Sequence, residues 1–315
     1  MPLPTPLSPV SPISKVRPVV LSRIGQPTKL ISPITDLNLS VLEKSKQLAA
    51  WTAVDQHVKP EHRVIGIGSG STVPYVVERI VQLGAEANAE RVFIPTGFQS
   101  KQLIVSSGLN LGDVDQFPTI DVTLDGADEV DRELNCIKGG GACHLREKVL
   151  AEAANTFILV ADYRKNVEFL GTNFASGIPI EVVPFAYAKV LQNLHHHLGC
   201  PQASLRMAVK KAGPVVSDNG NFIIDAPYDQ ETMKTPYTIM AQIKMLTGVV
   251  EVGVFCHMAR AAYFGNADGT IKMLTGVVEV GVFCHMARAA YFGNADGTVT
   301  IKWNDGRVEE VAAQA

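Results

Sequence analysis

Apolar side chains recur at helical spacing from Val41 to Val58, through Leu42, Ala49, Trp51 and Ala53, and both Asn38 and Ser40 are suited to cap the predicted helix. The short apolar run "RVIGIG" follows, then glycines and hydroxyl residues, then "VPYVVERIVQLG", a second helical pattern in which Pro74 fits only the first turn. The alternation continues with strands over "RVFIP", "TIDVTLD" and "TFILVAD" and helices over "FQSKQLIVSSG" and "LREKVLAEAA". Strands alternating with helices build a parallel sheet covered on its faces. From Ile178 the rhythm changes to "IPIEVVP", a helix over "FAYAKVLQNLHHHLG", and the pair "LRMAVKK" and "GPVVSDNGNFIIDA", where Asn219-Gly220 supplies a hairpin turn. The pattern predicts an α/β chain: a parallel-sheet domain over 38–175 plus 248–302, and a smaller α+β domain over 176–247.

Two segments fall outside this rhythm. Residues 1–37 carry prolines too often for a helix or sheet interior and are expected to be a disordered extension; their Lys15, Arg17, Arg23 and Lys29 among serines also resemble an organelle-import segment. The 28 residues 243–270, "IKMLTGVVEVGVFCHMARAAYFGNADGT", recur letter for letter at 271–298. Solenoid repeats diverge and need about three or more copies, so an identical pair reads as a duplication. Each copy offers one apolar strand, "VVEVGVF", to a sheet with a single vacancy. One copy is therefore expected to be extraneous to the fold.

Composition narrows the function classes. Hydrophobic residues at 46% and charged residues at 19% suit a globular core, and the net charge of −3 provides no basic field for nucleic acid. No stretch reaches the roughly 18 apolar residues of a membrane helix. The five cysteines, Cys136, Cys143, Cys200, Cys256 and Cys284, form no C-x-x-C pair, which points to a reducing, cytoplasmic setting. His195, His196 and His197 point in successive directions around one helix and cannot face one metal together, so no metal site is expected.

The candidate chemistry lies in the loops that follow the strands. "GIGSGST", residues 66–72, joins a strand to a helix, where free N–H groups and the hydroxyls of Ser69, Ser71 and Thr72 suit a phosphate. A dinucleotide loop fits less well: the third glycine falls one place early for G-x-G-x-x-G, and the next strand ends without an acid for a ribose. Asp125 ends an apolar strand and Asp128 follows three residues on; Lys138 precedes Gly139, Gly140 and Gly141; Glu147 opens the next helix. Taken singly these are a turn former, a cap, a solvated lysine and a first-turn charge. Their concurrence at successive loops on one sheet edge points to a site.

"GIGSGST", "LDGADEVD", "IKGGGAC" followed by "REK", and "GPVVSDNGNFIID", in this order and spacing, resemble ribose-5-phosphate isomerase of the A type over roughly residues 40–270. The resemblance implies a Rossmann-like domain with a smaller α+β domain, a homodimer, and interconversion of D-ribose 5-phosphate and D-ribulose 5-phosphate without cofactor. It implies a substrate loop at Ser69, Gly70, Ser71 and Thr72, paired aspartates at Asp125 and Asp128, the turn Lys138 to Gly141, a base at Glu147 and a further substrate lysine at Lys165. Within it, Asp125 and Asp128 are expected to serve the sugar hydroxyls and ring opening, and Lys138 to offset the enediolate charge. Leu145 stands where threonine is common in the family and Gly97 where serine is usual, which puts local capping in question. The competing classes are a non-catalytic sugar-phosphate-binding regulatory module and a nucleotide-dependent oxidoreductase.

Overall fold

A computed structural model describes residues 39–275 and, as backbone alone, three strands within 289–311. The proline-rich extension, Cys284, His285 and the second copy's "VVEVGVF" lie outside the described residues. The elements run α1 (Val41–His57), β1 (Val64–Ile67), α2 (Val73–Gln82), α3 (Ala85–Asn88), β2 (Val92–Pro95), α4 (Phe98–Ser106), β3 (Val122–Asp125), β4 (Glu129–Val130) and β5 (Cys136–Ile137). There follow α5 (His144–Ala153), β6 (Phe157–Asp162), β7 (Ile178–Val182), α6 (Tyr187–His196), β8 (Ser204–Leu205), β9 (Phe222–Ala226), α7 (Gln230–Met233) and α8 (Pro236–Lys244). The chain closes with β10 (Val249–Val252), β11 (Val254–Phe255), β12 (Ala261–Gly265), β13 (Ile271–Thr275), β14 (Ala289–Gly293), β15 (Val299–Trp303) and β16 (Val308–Val311).

The main sheet has the order β13-β12-β6-β3-β1-β2 and is parallel except for its edge strand β13. Its central strand β6 shows why it is central: Ile158 and Val160 enter one apolar cluster while Phe157, Leu159 and Ala161 enter another on the opposite face. Side chains alternate across a strand, so a run that is apolar throughout must be covered on both sides. Helix α1 begins where Ser40 accepts the Glu43 N–H at 3.2 Å, as a side-chain cap should. Its Ala49, Ala50 and Ala53 allow close approach to the sheet, and a Cβ at Gly265 would lie 1.8 Å from the Ser45 carbonyl.

The second sheet, β10-β7-β9-β8, is antiparallel and packs Ile180, Ile224 and Val252 against Val190 and Leu194 of α6 and Ile239 and Ile243 of α8. A small antiparallel ladder, β11-β5-β4, carries the loops that build the site. The first copy's "VVEVGVF" is therefore not one strand of the main sheet, as the boundary at residue 248 supposed. Its β10 half pairs with β7 and its β11 half with β5. Gly253 is the crossing point: its N–H donates to the Pro179 carbonyl at 2.7 Å, its own carbonyl accepts the Lys138 N–H at 2.8 Å, and a Cβ there would lie 2.2 Å from the Lys138 carbonyl.

The duplication also has a visible outcome. The first copy supplies β10, β11 and β12, while the opening five residues of the second copy form β13 at the sheet edge. The second copy's "AAYFG", β14, pairs instead with β15 in a three-stranded antiparallel sheet with β16. The two hairpins share one register, Ala261 opposite Thr275 and Ala289 opposite Trp303.

Candidate active site

Three side chains from separate elements meet below the carboxyl edge of the main sheet. Asp125 ends β3, Lys138 follows β5, and Glu147 lies in the first turn of α5; they are 0%, 2% and 5% exposed. The Lys138 Nζ stands 2.9 Å from Asp125 Oδ2 and 3.4 Å from Glu147 Oε2, and it donates to the Gly126 carbonyl. Ser69 ties the two acids together: its N–H donates to Asp125 Oδ1 at 3.0 Å and its hydroxyl to Glu147 Oε1 at 2.6 Å. Such closeness depends on Gly68, where a Cβ would fall 2.0 Å from Asp125 Oδ1.

The buried face of α5 follows from helical spacing. His144, Glu147 and Lys148 are all buried at i, i+3 and i+4, on one side of the helix. Lys148 anchors that side: its Nζ donates to Glu251 Oε1 at 2.8 Å, to the Val252 carbonyl at 2.7 Å and to the Val254 carbonyl at 3.0 Å. Burial lowers the His144 pKa to about 3, so its ring is neutral and its Nε2 lies 3.3 Å from the Glu251 carbonyl. Ahead of the helix, Ala142 holds a left-handed φ of 60°, a conformation that costs an L-residue about 1–2 kcal/mol and is tolerated where the surroundings fix it. Cys143 at the N-cap makes no side-chain cap bond, and Leu145 leaves the first turn without one.

Electrostatics follow from burial. Burial pushes the Glu147 carboxyl up to about 7, with the Asp125 charge adding to the rise and Lys138 and the Ser69 hydroxyl opposing it. Burial works against the Lys138 ammonium, but Asp125 and Glu147 outweigh it and its pKa is raised. Burial likewise raises Asp125, against Lys138 and the N–H groups of Ser69 and Gly126. The Cys143 thiol is pushed up to about 12, first by burial and then by Glu147 and Asp218, so it remains protonated at neutral pH.

A cavity of about 360 Å³ opens in front of Lys138 and Glu147. Ser69, Gly70, Ser71 and Thr72 line it ahead of α2, Gly139, Gly140 and Gly141 line it ahead of α5, and Asp128 and Lys165 complete those positions foreseen from sequence. Asp128 accepts the Gly140 N–H at 2.7 Å and so shapes the glycine turn. Asp125 departs from expectation. It is absent from the cavity wall, lies behind Lys138, and has both oxygens engaged by protein groups. Ser69 and Gly70 are also less free than foreseen, since the Ser69 hydroxyl is committed to Glu147 and the Gly70 N–H donates to Gln99 Oε1 at 2.8 Å.

Arg206, Gln99 and Asp218 were not singled out from sequence. Arg206 pairs with Asp225 through Nε at 2.9 Å and donates from Nη1 to the carbonyls of Gly139 at 2.9 Å and Gly140 at 3.1 Å, holding the turn from the smaller domain. Asp218 lies within the motif "GPVVSDNGNFIID", but no local signal marks Arg206 and Gln99, because each acts across elements distant in sequence. The capping question at Gly97 is answered from within and outside α4: Ser100 Oγ, in the helix, accepts the Gly97 N–H at 3.1 Å, and Asp218, outside it, accepts the Phe98 N–H at 2.8 Å.

The family model of ribose 5-phosphate isomerase A (phosphoriboisomerase A) matches residues 92–269, more than half of the chain. The chain belongs to the ribose 5-phosphate isomerase A family. The ribose-5-phosphate isomerase of Cryptococcus neoformans var. neoformans is 67% identical over 252 residues, covering 78% of this chain and 82% of its own. That of Mycosarcoma maydis is 67% identical over 233 residues, covering 74% and 81%. Among solved structures, a D-ribose-5-phosphate isomerase in complex with phospho-erythronic acid superposes with a TM-score of 0.68 at 36% identity, covering 74% of this chain and 99% of its own. The ribose 5-phosphate isomerase A of Methanocaldococcus jannaschii gives 0.66 at 34%, covering 73% and 97%. The Rossmann-like domain with a smaller second domain is thus the fold of this isomerase family.

Proposed function

We propose that this chain interconverts D-ribose 5-phosphate and D-ribulose 5-phosphate with Glu147 as the single base. The observation that carries the assignment is the buried Glu147 carboxyl, held by Ser69 at 2.6 Å, beside the Lys138 ammonium on the wall of the cavity. With the open-chain aldose bound, Glu147 removes the C2 proton. The C–H electron pair forms the C1=C2 bond, and the carbonyl pair moves to O1, giving a cis-enediolate. The same carboxyl returns the proton to C1 while the O2 proton passes to O1, leaving the ketone at C2. Substrate and product are isomers, so no electrons enter or leave. A base with pKa near the working pH is well matched to both half-steps, which together contribute roughly 10²–10⁴-fold.

Lys138 faces the enediolate oxygens, where one well-aimed donor is worth about 3 kcal/mol. Asp125 acts through Lys138 as its buried counter-charge, a positioning role in place of contact with sugar. Asp128 stands on the wall, where its carboxylate accepts sugar hydroxyls and assists ring opening. The phosphate is received by Ser71, Thr72 and Lys165, the first two at the positively polarised start of α2. A related isomerase is solved in complex with phospho-erythronic acid, which carries both a phosphate and a carboxylate, so this acid should compete with substrate here as well. The resemblance also supports a homodimer, and four free thiols among the described cysteines support a cytoplasmic setting. The test is ketose formation from ribose 5-phosphate by the full chain and by Glu147→Gln. Equal rates in the two proteins would remove Glu147 from the mechanism.

A further inference from the structure

Asp218 is the cavity-wall residue that comes from the smaller domain; every other described wall position falls between Ser69 and Lys165. It sits at the tip of the turn between Ser217 and Asn221, and the turn is unusually well fixed. Ser217 donates its N–H to the Asn221 carbonyl at 2.8 Å, and Gly220 takes φ 79° and donates to the Ser217 carbonyl at 2.9 Å. Beneath it, fully buried Glu181 accepts from Ser217 Oγ at 2.8 Å, Asn219 Nδ2 at 3.0 Å and Asn221 Nδ2 at 2.9 Å. Arg146, the residue before Glu147, donates to Asn219 Oδ1 at 2.9 Å and fastens the turn to α5.

This scaffold aims one carboxylate at the reaction end. Asp218 Oδ2 accepts the Phe98 N–H, and a Cβ at position 97 would lie 3.0 Å from that oxygen and 2.9 Å from Cys143 Sγ. Gly97 thus makes room for the acid beside Cys143, whose thiol feels the charges of both Glu147 and Asp218. The charge along the cavity is consequently lopsided. Lys165 and the α2 start stand at one end, where the nearby Asp162 is paired with Arg164 at 2.7 Å; at the other, where Asp128 lies near Glu147 and both Glu147 and Asp218 lie near Cys143, three acids face the single ammonium of Lys138.

Resting on the isomerase reading, we propose that Asp218 is a specificity-determining residue: it accepts a hydroxyl at the C1 end of the sugar and repels a second phosphate there, restricting the site to pentose monophosphates over 1,5-bisphosphates. A carboxylate is an acceptor only, so it favours a hydroxyl, and its repulsion of a dianion a few ångströms away is worth about tenfold in affinity in a partly solvated cleft.

The experiment measures binding by calorimetry, with ribose 5-phosphate and ribulose 1,5-bisphosphate titrated separately into the full chain and into Asp218→Asn and Asp218→Ala. Asparagine keeps an acceptor for the Phe98 N–H and loses only the charge. The expected result for Asp218→Asn is several-fold weaker ribose 5-phosphate binding and about tenfold tighter bisphosphate binding. A preference ratio unchanged in Asp218→Asn, with impairment confined to Asp218→Ala, would leave Asp218 a helix cap and overturn the proposal. Turnover of ribose 5-phosphate by the unaltered chain, assayed alongside, tests the isomerase reading separately, because the binding ratio is readable in a chain that does not turn over.

Discussion

At the proposed reaction end, the Lys138 ammonium lies within 3.4 Å of both the Glu147 carboxylate and, behind the cavity wall, that of Asp125, and all three are at most 5% exposed; at the proposed phosphate end, Gly70 and Ser71 stand exposed to solvent. The first arrangement withdraws charge from water, which disfavours ionised carboxylates and moves the base toward neutrality. The second uses backbone and hydroxyl dipoles at the start of α2, which remain solvated without ligand and need no counter-charge. On the proposed assignment, chemistry is concentrated where burial is costly, and binding where it is cheap. A change at the reaction end should therefore alter rate and stability together, whereas a change at the loop should alter affinity alone.

The sharpest test of that contrast is Glu147→Gln, which keeps shape and removes the base. Its kcat should fall by roughly 10²–10⁴-fold, measured by ketose formation, while its melting temperature above pH 7 should rise. The sign follows from the direction of the shift. The Glu147 pKa is raised from 4.5 to about 7 on folding, so the stability its neutral form contributes is fully present below about pH 4.5 and is lost as pH rises through about 7. That loss is on the order of 3 kcal/mol, absent in the glutamine variant.

Lys138→Met comes next. It should lower kcat by about 10²-fold and also destabilise the fold by about 3–5 kcal/mol, because Asp125 and Glu147 lose their shared cation. A rate loss with unchanged chemical denaturation would break the link between burial and catalysis. Smaller in effect is the pH profile: kcat/KM should fall tenfold per unit below about pH 7, as the Glu147 base becomes protonated. Mildest is Ser71→Ala at the open end, expected to raise KM by roughly two- to tenfold with kcat unchanged and stability within about 0.5 kcal/mol. A large kcat effect there would show that the two ends are not separable.

Much of this was legible from the chain alone because it is local. The Ser40 cap and the N–H it accepts are three residues apart, the glycine loops follow their strands directly, and β6 is apolar from Phe157 to Ala161. What was not legible depends on distant partners. The retreat of Asp125 behind Lys138 requires Gly68 and Ser69 from another loop. Asp218 caps a helix 120 positions earlier, and Arg206 reaches back 67 positions to the glycine turn. The division of "VVEVGVF" between two sheets turns on the space at Gly253, which periodicity does not register.

The register shared by the two "AAYFG" hairpins implies that the fold seats a lengthened chain by substitution at the margin of its sheet. Residues 271–275 occupy the lane that 299–303 would take if Thr270 ran straight into Val299, and β12 and β6 stand between that lane and the strand bearing Asp125. The tandem copy of 28 residues thus lies downstream of the strands and loops that hold Asp125, Lys138 and Glu147, and it leaves their pairings in place.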